Sequence, residues 1–379
     1  MKIVIVGPVY PYRGGIAHFT SSLAEELRNA GHEIKVVSFK RQYPKFLYPG
    51  KSDQDPSKEP LIVPAEFILD PLYPWTWERA RTDIVRGQPD LVVFQWWTTF
   101  WAPAFGVLAR RLKKTGIKVC FLIHNVFPHE KRFWDKAFTR FGLKSADNFL
   151  TMADSQRSLL ADLFPKKPVI YSPHPIYKFM DVAKIDKETA RAQLGIPSDR
   201  KVALFFGIVR PYKGLRLLVE AAGMLKKLGN PVHLLIAGEF WEDITDYLSL
   251  IKAKELEDWV TLHNRYILNE EVPLMFNSAD VFVAPYTGGT QSGAVKLAMG
   301  YQLPIVMTPT IANAGINFTT YPGIFISQSA TPESIKREIE IALQYNFPDE
   351  PLASDTSWNN LVETIIRIGQ QNQKTGSFS

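Results

Sequence analysis

Two short segments of the chain combine cations, glycines and hydroxyl side chains in an order typical of phosphate binding. The first, FFGIVRPYKG at 205–214, presents Arg210 and Lys213 directly after an apolar stretch that predicts a buried strand. Ligands of open α/β sheets bind at the carboxyl ends of the strands. Two cations there suit a diphosphate, whose negative charge must be stabilised as it leaves. The alternative is a pair of solvated charges at a strand end.

The second segment, PYTGGTQSGA at 285–294, follows the predicted strand 280–284 and precedes a predicted helix, 292–299. Its small residues leave the backbone amides of Gln291, Ser292 and Gly293 free to hold phosphate oxygens at a helix N-terminus. The hydroxyl groups of Thr290 and Ser292 add two donors. An ordinary helix cap, which Ser292 would supply alone, is the alternative.

The N-terminal half offers a smaller set of candidates. Gly14 and Gly15 separate the first predicted strand from a helix, so their amides could approach an anion, and Arg13 adds a charge. A tight turn needed only for packing is the alternative, and the pair is not a full dinucleotide fingerprint. His124 ends the apolar run 119–123, where it could hydrogen-bond a sugar hydroxyl or stabilise charge. A structural role for His124 remains open.

Metal and thiol chemistry have little support. The run Asp53-Gln54-Asp55 resembles a D-x-D metal motif, but it lies in a polar loop and is interpreted as a solvated acidic turn. The chain has no H-E-x-x-H and one cysteine, Cys120, which is predicted to be a buried strand residue. We therefore expect no metal site and no resident cofactor.

Six tryptophans lie in the N-terminal half, and core packing is the favoured interpretation of each. Stacking on a sugar or contact with a lipid interface is the alternative for those near a strand end. The six are Trp75, Trp77, Trp96, Trp97, Trp101 and Trp134.

Short apolar strands alternate with amphipathic helices, and the alternation restarts near residue 201. That pattern predicts an α/β protein of two doubly wound, Rossmann-like domains. Pro173 and Pro175 favour a boundary there, which gives domains 1–174 and 175–356. A last amphipathic helix over 357–372 presents an apolar stripe that includes Leu361 and Ile365.

The charge distribution suggests an anionic partner. Residues 1–175 contain 25 Lys and Arg against 16 Asp and Glu, although the whole chain of 379 residues carries only +6. A phosphate-bearing acceptor or an anionic membrane fits this excess, and the cluster RRLKK at 110–114 is a candidate for peripheral attachment. A basic surface without a partner is the alternative. No nucleic-acid motif, signal peptide or membrane span is recognised, so we expect a cytoplasmic protein, peripheral at most on the inner membrane face.

Together these segments resemble the retaining GT-B glycosyltransferases of family 4. The resemblance rests on Gly14-Gly15, FFGIVRPYKGL at 205–215, IAGEF at 236–240, NSADVFVAPY at 277–286 and the stretch 290–304. It is strongest to a bacterial subgroup with GGIAHF, PHEK at 128–131 and TQSG at 290–293. The resemblance implies two Rossmann-like domains that face a cleft, a nucleotide-diphospho-sugar donor held by the C-terminal domain, and no metal. It also implies that the C-terminal helix, 357–379, returns to the N-terminal acceptor domain.

The chain departs from the family pattern at two places. Ile208 occupies the position after the strand-end glycine where the family commonly has Arg, and Arg210, two residues later, faces the same side of an extended segment. The E-x7-E pair is missing: Thr290 takes the first glutamate's place, and the second falls near Leu297 or Ala298.

The favoured hypothesis is a retaining transferase that moves a sugar, hexosyl in type, from a nucleotide-diphospho-sugar to a glycan or lipid-linked glycan. His124 is the catalytic candidate, Arg13 and Gly14 form an acceptor or phosphate loop, and the remaining candidates bind the donor. Those donor residues are Gly15, Arg210, Lys213, Thr290, Gln291, Ser292 and Gly293. A catalytically weak sugar-nucleotide-binding protein and a GT-B epimerase or phosphorylase are the alternatives.

Overall fold

The computed structural model describes residues 1–44, 48, 50–128, 132–175, 185–289, 292–312, 321–347 and 358–371. They form two compact units. The first comprises the described residues of 1–55, 60–175 and 356–379, and the second those of 56–59 and 176–355. None of the helices in these ranges is long and apolar enough to cross a membrane.

The first unit is built on a seven-stranded, wholly parallel sheet in the order β3-β2-β1-β4-β5-β6-β7. Its strands are β1 Lys2–Val6, β2 Glu33–Phe39, β3 Glu66–Leu69, β4 Leu91–Trp96, β5 Lys118–Ile123, β6 Asn148–Thr151 and β7 Val169–Tyr171. The helices between them are α1 Gly15–Asn29, α2 Pro74–Gly87, α3 Ala102–Lys113, α4 Asp135–Leu143 and α5 Asp154–Leu163. Every residue of β4 and β5 is buried, as expected of strands covered on both faces.

The second unit repeats this design around six parallel strands in the order β10-β9-β8-β11-β12-β13. The strands are β8 Val202–Phe206, β9 His233–Ala237, β10 Val260–His263, β11 Val281–Ala284, β12 Ile305–Met307 and β13 Ile324–Ile326. The helices are α6 Lys187–Gln193, α7 Leu215–Lys227, α8 Ile244–Ala253, α9 Val272–Ser278, α10 Gly293–Gly300, α11 Pro309–Ala312 and α12 Pro332–Ala342. The prediction of two doubly wound, Rossmann-like domains is confirmed.

The strand orders locate the crevice of each sheet. Strand order reverses between β1 and β4 in the first sheet and between β8 and β11 in the second. Ligands of doubly wound sheets bind outside the carboxyl ends of the strands at such a reversal. Both segments with a phosphate-binding pattern follow strands at the second reversal, because one follows β8 and the other follows β11.

Several aromatic residues of the first unit are more deeply buried than a ligand-binding role allows. Trp96 and Trp101 are fully buried, and the Trp101 ring packs 4.2 Å from Phe39 and 5.5 Å from Phe105 between ring centroids. Core packing is therefore correct for both, and the alternative of sugar or lipid contact is wrong for them. Trp75 differs, since 67% of it is exposed. Cys120 is buried in β5, as predicted.

The last helix, α13 Trp358–Gln370, belongs to the first unit. The Trp358 ring is fully buried with its centroid 5.2 Å from that of Phe19 on α1. At the other end of α13, the buried Lys118 ammonium donates a hydrogen bond of 2.5 Å to the carbonyl of Ile368. A cation at a helix C-terminus also interacts favourably with the helix dipole. Both ends of α13 are thus held by residues of the first unit.

We expect a chain that ends at Asp355, and therefore lacks α13, to lose stability in the first unit. Loss of the buried Ile365 side chain alone, in Ile365→Ala, should lower the free energy of unfolding by about 2–5 kcal/mol. Asn359→Ala, which alters an exposed residue of the same helix, is the matched control and should change it by less than about 0.5 kcal/mol. Hydrogen exchange would locate the loss. Unchanged protection of residues 1–172 in the shortened chain would contradict the prediction.

Candidate functional site

The loop after β8 folds back over the end of its own strand. Gly207 has a φ of 104°, and a Cβ there would lie 2.9 Å from the ammonium nitrogen of Lys213. Gly214, with a φ of 66°, is equally constrained, because a Cβ would lie 2.0 Å from the carbonyl oxygen of Pro285. The two glycines therefore bring Lys213 across the end of β8 and bring the loop against the segment after β11.

A hydrogen bond joins these two loops. The backbone N–H of Thr287 donates to the carbonyl of Tyr212 at 2.7 Å. The buried Tyr286 ring lies beneath Lys213, whose ammonium nitrogen is 5.5 Å from the ring centroid. The Tyr286 hydroxyl is in turn 3.3 Å from Oγ of Ser292. Lys213, Tyr286 and Ser292 thus form a continuous row from the end of β8 to the start of α10.

Arg210 packs on Trp241, which is not part of this row. Its guanidinium carbon is 4.7 Å from the ring centroid of Trp241, in the segment after β9. Val209 is buried and bridges to Phe240, whereas Ile208 and Arg210 are both only partly buried. That alternation is the one expected of an extended segment, so Ile208 and Arg210 share a side.

The two cations carry charge that the neighbouring protein does not neutralise. Neither Arg210 nor Lys213 forms an ion pair with any residue that the structure describes. Burial and the nearby Arg210 lower the pKa of Lys213 to about 8. Two unneutralised cations at the strand ends favour an anionic ligand.

The start of α10 has a side-chain cap. Oγ of Ser292 accepts a hydrogen bond of 3.3 Å from the backbone N–H of Val295. The helix-cap alternative is therefore correct for Ser292, whose hydroxyl also lies within hydrogen-bond distance of the Tyr286 hydroxyl. Gly293 begins the helix. Thr290 and Gln291 lie outside the described residues, so their predicted contacts remain predictions.

One residue of this region was missed by the sequence interpretation. Lys296 lies in α10 and is only 6% exposed, and burial lowers the pKa of its ammonium group to about 8. The available signal was a single lysine within the otherwise apolar run AVKLAM. Leu297 and Ala298, at the place of the second family glutamate, are both buried.

In the first unit, Gly14 and Gly15 form an open backbone surface. Gly14 has a φ of 107° and precedes α1 without a side-chain cap, and Gly15 is the first helical residue. A Cβ at either position would meet no described atom within 4 Å. Nε of Arg13 donates to the Tyr48 hydroxyl at 3.0 Å, which fixes the guanidinium next to the turn. This turn is accessible to a ligand from solvent.

His124 is buried beside α1. Its Nε2 donates to Oε1 of Gln95 at 2.8 Å, and its ring packs edge-on against Phe19 with centroids 4.9 Å apart. Burial, with a smaller contribution from the nearby His174, lowers the pKa of His124 to about 3. The imidazole is therefore neutral at physiological pH, which favours hydrogen bonding to a hydroxyl over stabilisation of charge as an imidazolium.

Two further predictions concern acidic residues and metals. The acidic loop is less solvated than expected, because Asp55 is only 7% exposed and lies 3.8 Å from Nε2 of His18. The interpretation as a solvated turn is wrong for Asp55. Within the described ranges, no group of three or more His, Cys, Asp or Glu could hold a metal ion.

The site residues thus fall into two groups. Arg210, Lys213, Ser292 and Gly293 converge at the switch point of the second sheet. The others, Arg13, Gly14, Gly15 and His124, belong to the first unit, where α1 connects the glycine turn to His124 through Phe19.

Comparisons with known proteins agree with this architecture. Residues 13–176 match the family model described as Glycosyltransferase Family 4, and residues 186–357 match the one described as Glycosyl transferases group 1. The Escherichia coli (strain K12) protein WcaI, described provisionally as a colanic acid biosynthesis glycosyl transferase, is 26% identical over 282 residues. That alignment covers 63% of this chain and 66%, about two thirds, of the relative.

Two solved structures share the fold over nearly the whole chain. Sucrose-phosphate synthase from Thermosynechococcus elongatus has a TM-score of 0.70 at 16% identity, covering 99% of this chain and 100% of the other. Anabaena HepE, solved in complex with UDP-glucose, has a TM-score of 0.66 at 15% identity, covering 99% of both chains. Because the two family models together match both units and the fold is shared from end to end, the chain belongs to the GT-B glycosyltransferases of the family 4 type and is a glycosyltransferase enzyme.

Proposed function

We propose that the enzyme transfers a sugar from a nucleotide-diphospho-sugar to a glycan or lipid-linked glycan, with retention of configuration. The observation that carries the donor assignment is the convergence of Arg210, Lys213 and the start of α10 at one switch point. Helix N-termini and unpaired cations both favour phosphate oxygens. HepE, a structural neighbour, is recorded with UDP-glucose, which supports the same donor class here.

The residues divide the work as follows in this proposal. Arg210 and Lys213 would bind the diphosphate and stabilise the charge that develops on it as the sugar leaves. Ser292 and the amides at the start of α10 would hold the phosphate oxygens, and Thr290 and Gln291 would add to them. Retention is proposed from the family resemblance. No metal enters the proposal, because the two cations can supply the positive charge.

In the first unit, we assign the sugar and acceptor contacts to the glycine turn and His124. A neutral imidazole held by Gln95 can exchange hydrogen bonds with a sugar hydroxyl, and the open turn at Gly14 and Gly15 would admit a ligand next to Arg13. The relative from E. coli is described as acting in colanic acid biosynthesis, which supports a glycan product.

A second candidate function is supported by one observation. Leu297 and Ala298 are buried and apolar where the family has its second glutamate, so the usual carboxylate contact to the donor is missing. A catalytically weak sugar-nucleotide-binding protein would fit that loss. Binding of a nucleotide sugar without hydrolysis or transfer, in the presence of candidate acceptors, would favour this candidate over the transferase.

Membrane attachment is the third part of the proposal. Helix α4 and the residues before it expose Phe133, Trp134, Phe138 and Phe141 by 92, 39, 41 and 52%. The exposed charges of the same segment, at Arg132, Lys136, Arg140 and Lys144, are all positive, while the acidic Asp135 is buried. Aromatic side chains between cations are typical of a surface that contacts anionic lipid.

The RRLKK cluster contributes less than its sequence suggests. Arg111 and Lys113 form ion pairs with Glu78 and Asp147, whereas Arg110 and Lys114 form none with described residues. A Cβ at Gly106, one turn before Arg110, would lie 2.8 Å from the ring of Phe141. Arg110 therefore borders the exposed aromatic face of α4 and extends its positive charge. We propose that this face holds the enzyme near a lipid-linked acceptor.

Arg210→Ala and Lys213→Ala should each weaken nucleoside diphosphate binding by about 1.5–3 kcal/mol, since each removes a charge-assisted hydrogen bond to phosphate. Calorimetric titration with UDP, GDP and ADP would measure the loss. Arg216→Ala is the matched control, because Arg216 is exposed on α7 and pairs with Glu220. Wild-type affinity in both site variants would end the assignment.

His124→Ala should lower donor turnover much more than donor affinity, because His124 is placed at the reacting sugar rather than at the diphosphate. The rate of donor hydrolysis or transfer and the Kd for the donor would be measured on the same preparation. Hydrogen-exchange protection of β5 and α1, which flank His124, serves as the control for correct folding of the first unit. A folded variant with full kcat would make His124 a structural residue.

A double variant that combines Lys136→Ala with Arg140→Ala should bind anionic vesicles more weakly by roughly 2 kcal/mol, or about thirtyfold, at low salt. Co-sedimentation with phosphatidylglycerol and phosphatidylcholine vesicles would measure the difference. Lys252→Ala, at an exposed position of the second unit, is the control. Equal binding of the wild-type protein to both vesicle types would remove the membrane proposal and leave the donor assignment intact.

A further inference from the structure

Lys296 is the one buried cation among the described residues that has no partner. Three Lys or Arg residues there are less than 9% exposed, namely Lys118, Arg191 and Lys296. Arg191 pairs with Asp280 at 2.6 Å and donates to two backbone carbonyls, and Lys118 donates to Ile368. The Lys296 ammonium group makes no hydrogen bond or ion pair with any residue that the structure describes, and burial alone lowers its pKa.

A buried, uncompensated charge destabilises a folded protein, often by several kcal/mol. With a pKa of about 8, the Lys296 ammonium is still mostly charged at neutral pH. An apolar side chain at this position would fit the surrounding run of Val295, Leu297 and Ala298 better. A ligand that supplies a negative charge would compensate for the cost of the lysine.

The position of Lys296 on α10 directs its side chain toward the donor-site row. Lys296 follows Gly293 by three residues and Ser292 by four, so it shares their face of the helix. Long helical side chains lean toward the helix N-terminus and cover the preceding turn. From this position we infer that the ammonium group extends toward Ser292, whose Oγ is 3.3 Å from the Tyr286 hydroxyl beneath Lys213.

This site has one more positive charge than is needed to match the two negative charges of a diphosphate. Each phosphate of a nucleotide-diphospho-sugar carries one negative charge, which Arg210 and Lys213 can match. Lys296 supplies a third positive charge, close to Leu297 and Ala298, where the family's second glutamate falls. The site therefore carries a buried lysine close to the place where the family has a carboxylate.

We propose that the donor sugar carries a carboxylate, as in a hexuronic acid, and that Lys296 binds this carboxylate. The proposal rests on the donor assignment made above and adds the chemical class of the sugar. A carboxylate on the donor is favoured over a phosphate on the acceptor, because α10 lies in the unit that carries the diphosphate-binding cations. Lys296 is thus a specificity-determining residue, and it takes no part in bond making or breaking.

The test compares wild-type protein with Lys296→Met, which keeps an unbranched side chain of similar length and removes its charge. Each protein is titrated with UDP, UDP-glucose and UDP-glucuronate, and with GDP, GDP-mannose and GDP-mannuronate. In the series that binds, UDP or GDP, the wild-type protein should bind the nucleotide uronate roughly ten- to a hundredfold more tightly than the neutral nucleotide sugar. Lys296→Met should lose this difference and bind the nucleoside diphosphate within about twofold of wild type.

A second variant separates the inference from the donor assignment. Lys213→Met should weaken the binding of the nucleoside diphosphate, the neutral nucleotide sugar and the nucleotide uronate by the same factor. If the wild-type protein binds nucleoside diphosphates but does not distinguish the uronate, the inference fails and the proposed function stands. Equal weakening of all three ligands by Lys296→Met would make Lys296 a phosphate ligand and overturn the inference. Failure of every nucleotide to bind the wild-type protein would remove both.

Discussion

The close approach of two loops at the switch point of the second sheet is the constraint on which the candidate donor site depends. Gly214 allows the loop after β8 to reach the carbonyl of Pro285, and the Thr287 amide bonds to Tyr212. Any side chain at Gly214 would collide with backbone, which cannot move aside as a flexible side chain could. The parallel sheet supplies the fixed frame, because β8 pairs directly with β11. Cations from one loop and the helix start from the other are thereby brought together.

The electrostatics of the two units differ in a way that suits two different tasks. In the second unit, Arg210, Lys213 and Lys296 lack anionic partners among the described residues, so the candidate donor site carries positive charge that a ligand can neutralise. In the first unit, His124 is held neutral by burial and bonded to Gln95. The charged groups of a donor would suit the cations of the second unit. Uncharged hydroxyl groups would suit the neutral His124 of the first unit.

Much of this could be predicted from sequence, for identifiable reasons. Strand ends with glycine and cations stand out because the apolar strands before them are short and continuous, so Arg210 and Lys213 were recognised. Burial was harder to predict. Asp55 lies in a polar loop yet is nearly covered, and Lys296 is hidden within an apolar helix. The burial of Asp55 and of Lys296 depends on which tertiary neighbours cover each side chain. The local sequence pattern does not contain that information.

The same distinction explains why a family resemblance predicts the fold better than the ligand. Backbone positions such as Gly207 and Gly214 are set by the close packing of the loops at the ends of β8 and β11. Positions 296 and 297 lie on the first two turns of α10, where a side chain can change from acidic to apolar or basic without altering the helix, because its capping by Ser292 is local. Ligand specificity can therefore change at α10 while the phosphate-binding frame stays intact. In the proposed complex, the desolvation cost of the Lys296 ammonium group is offset by the anion that it binds.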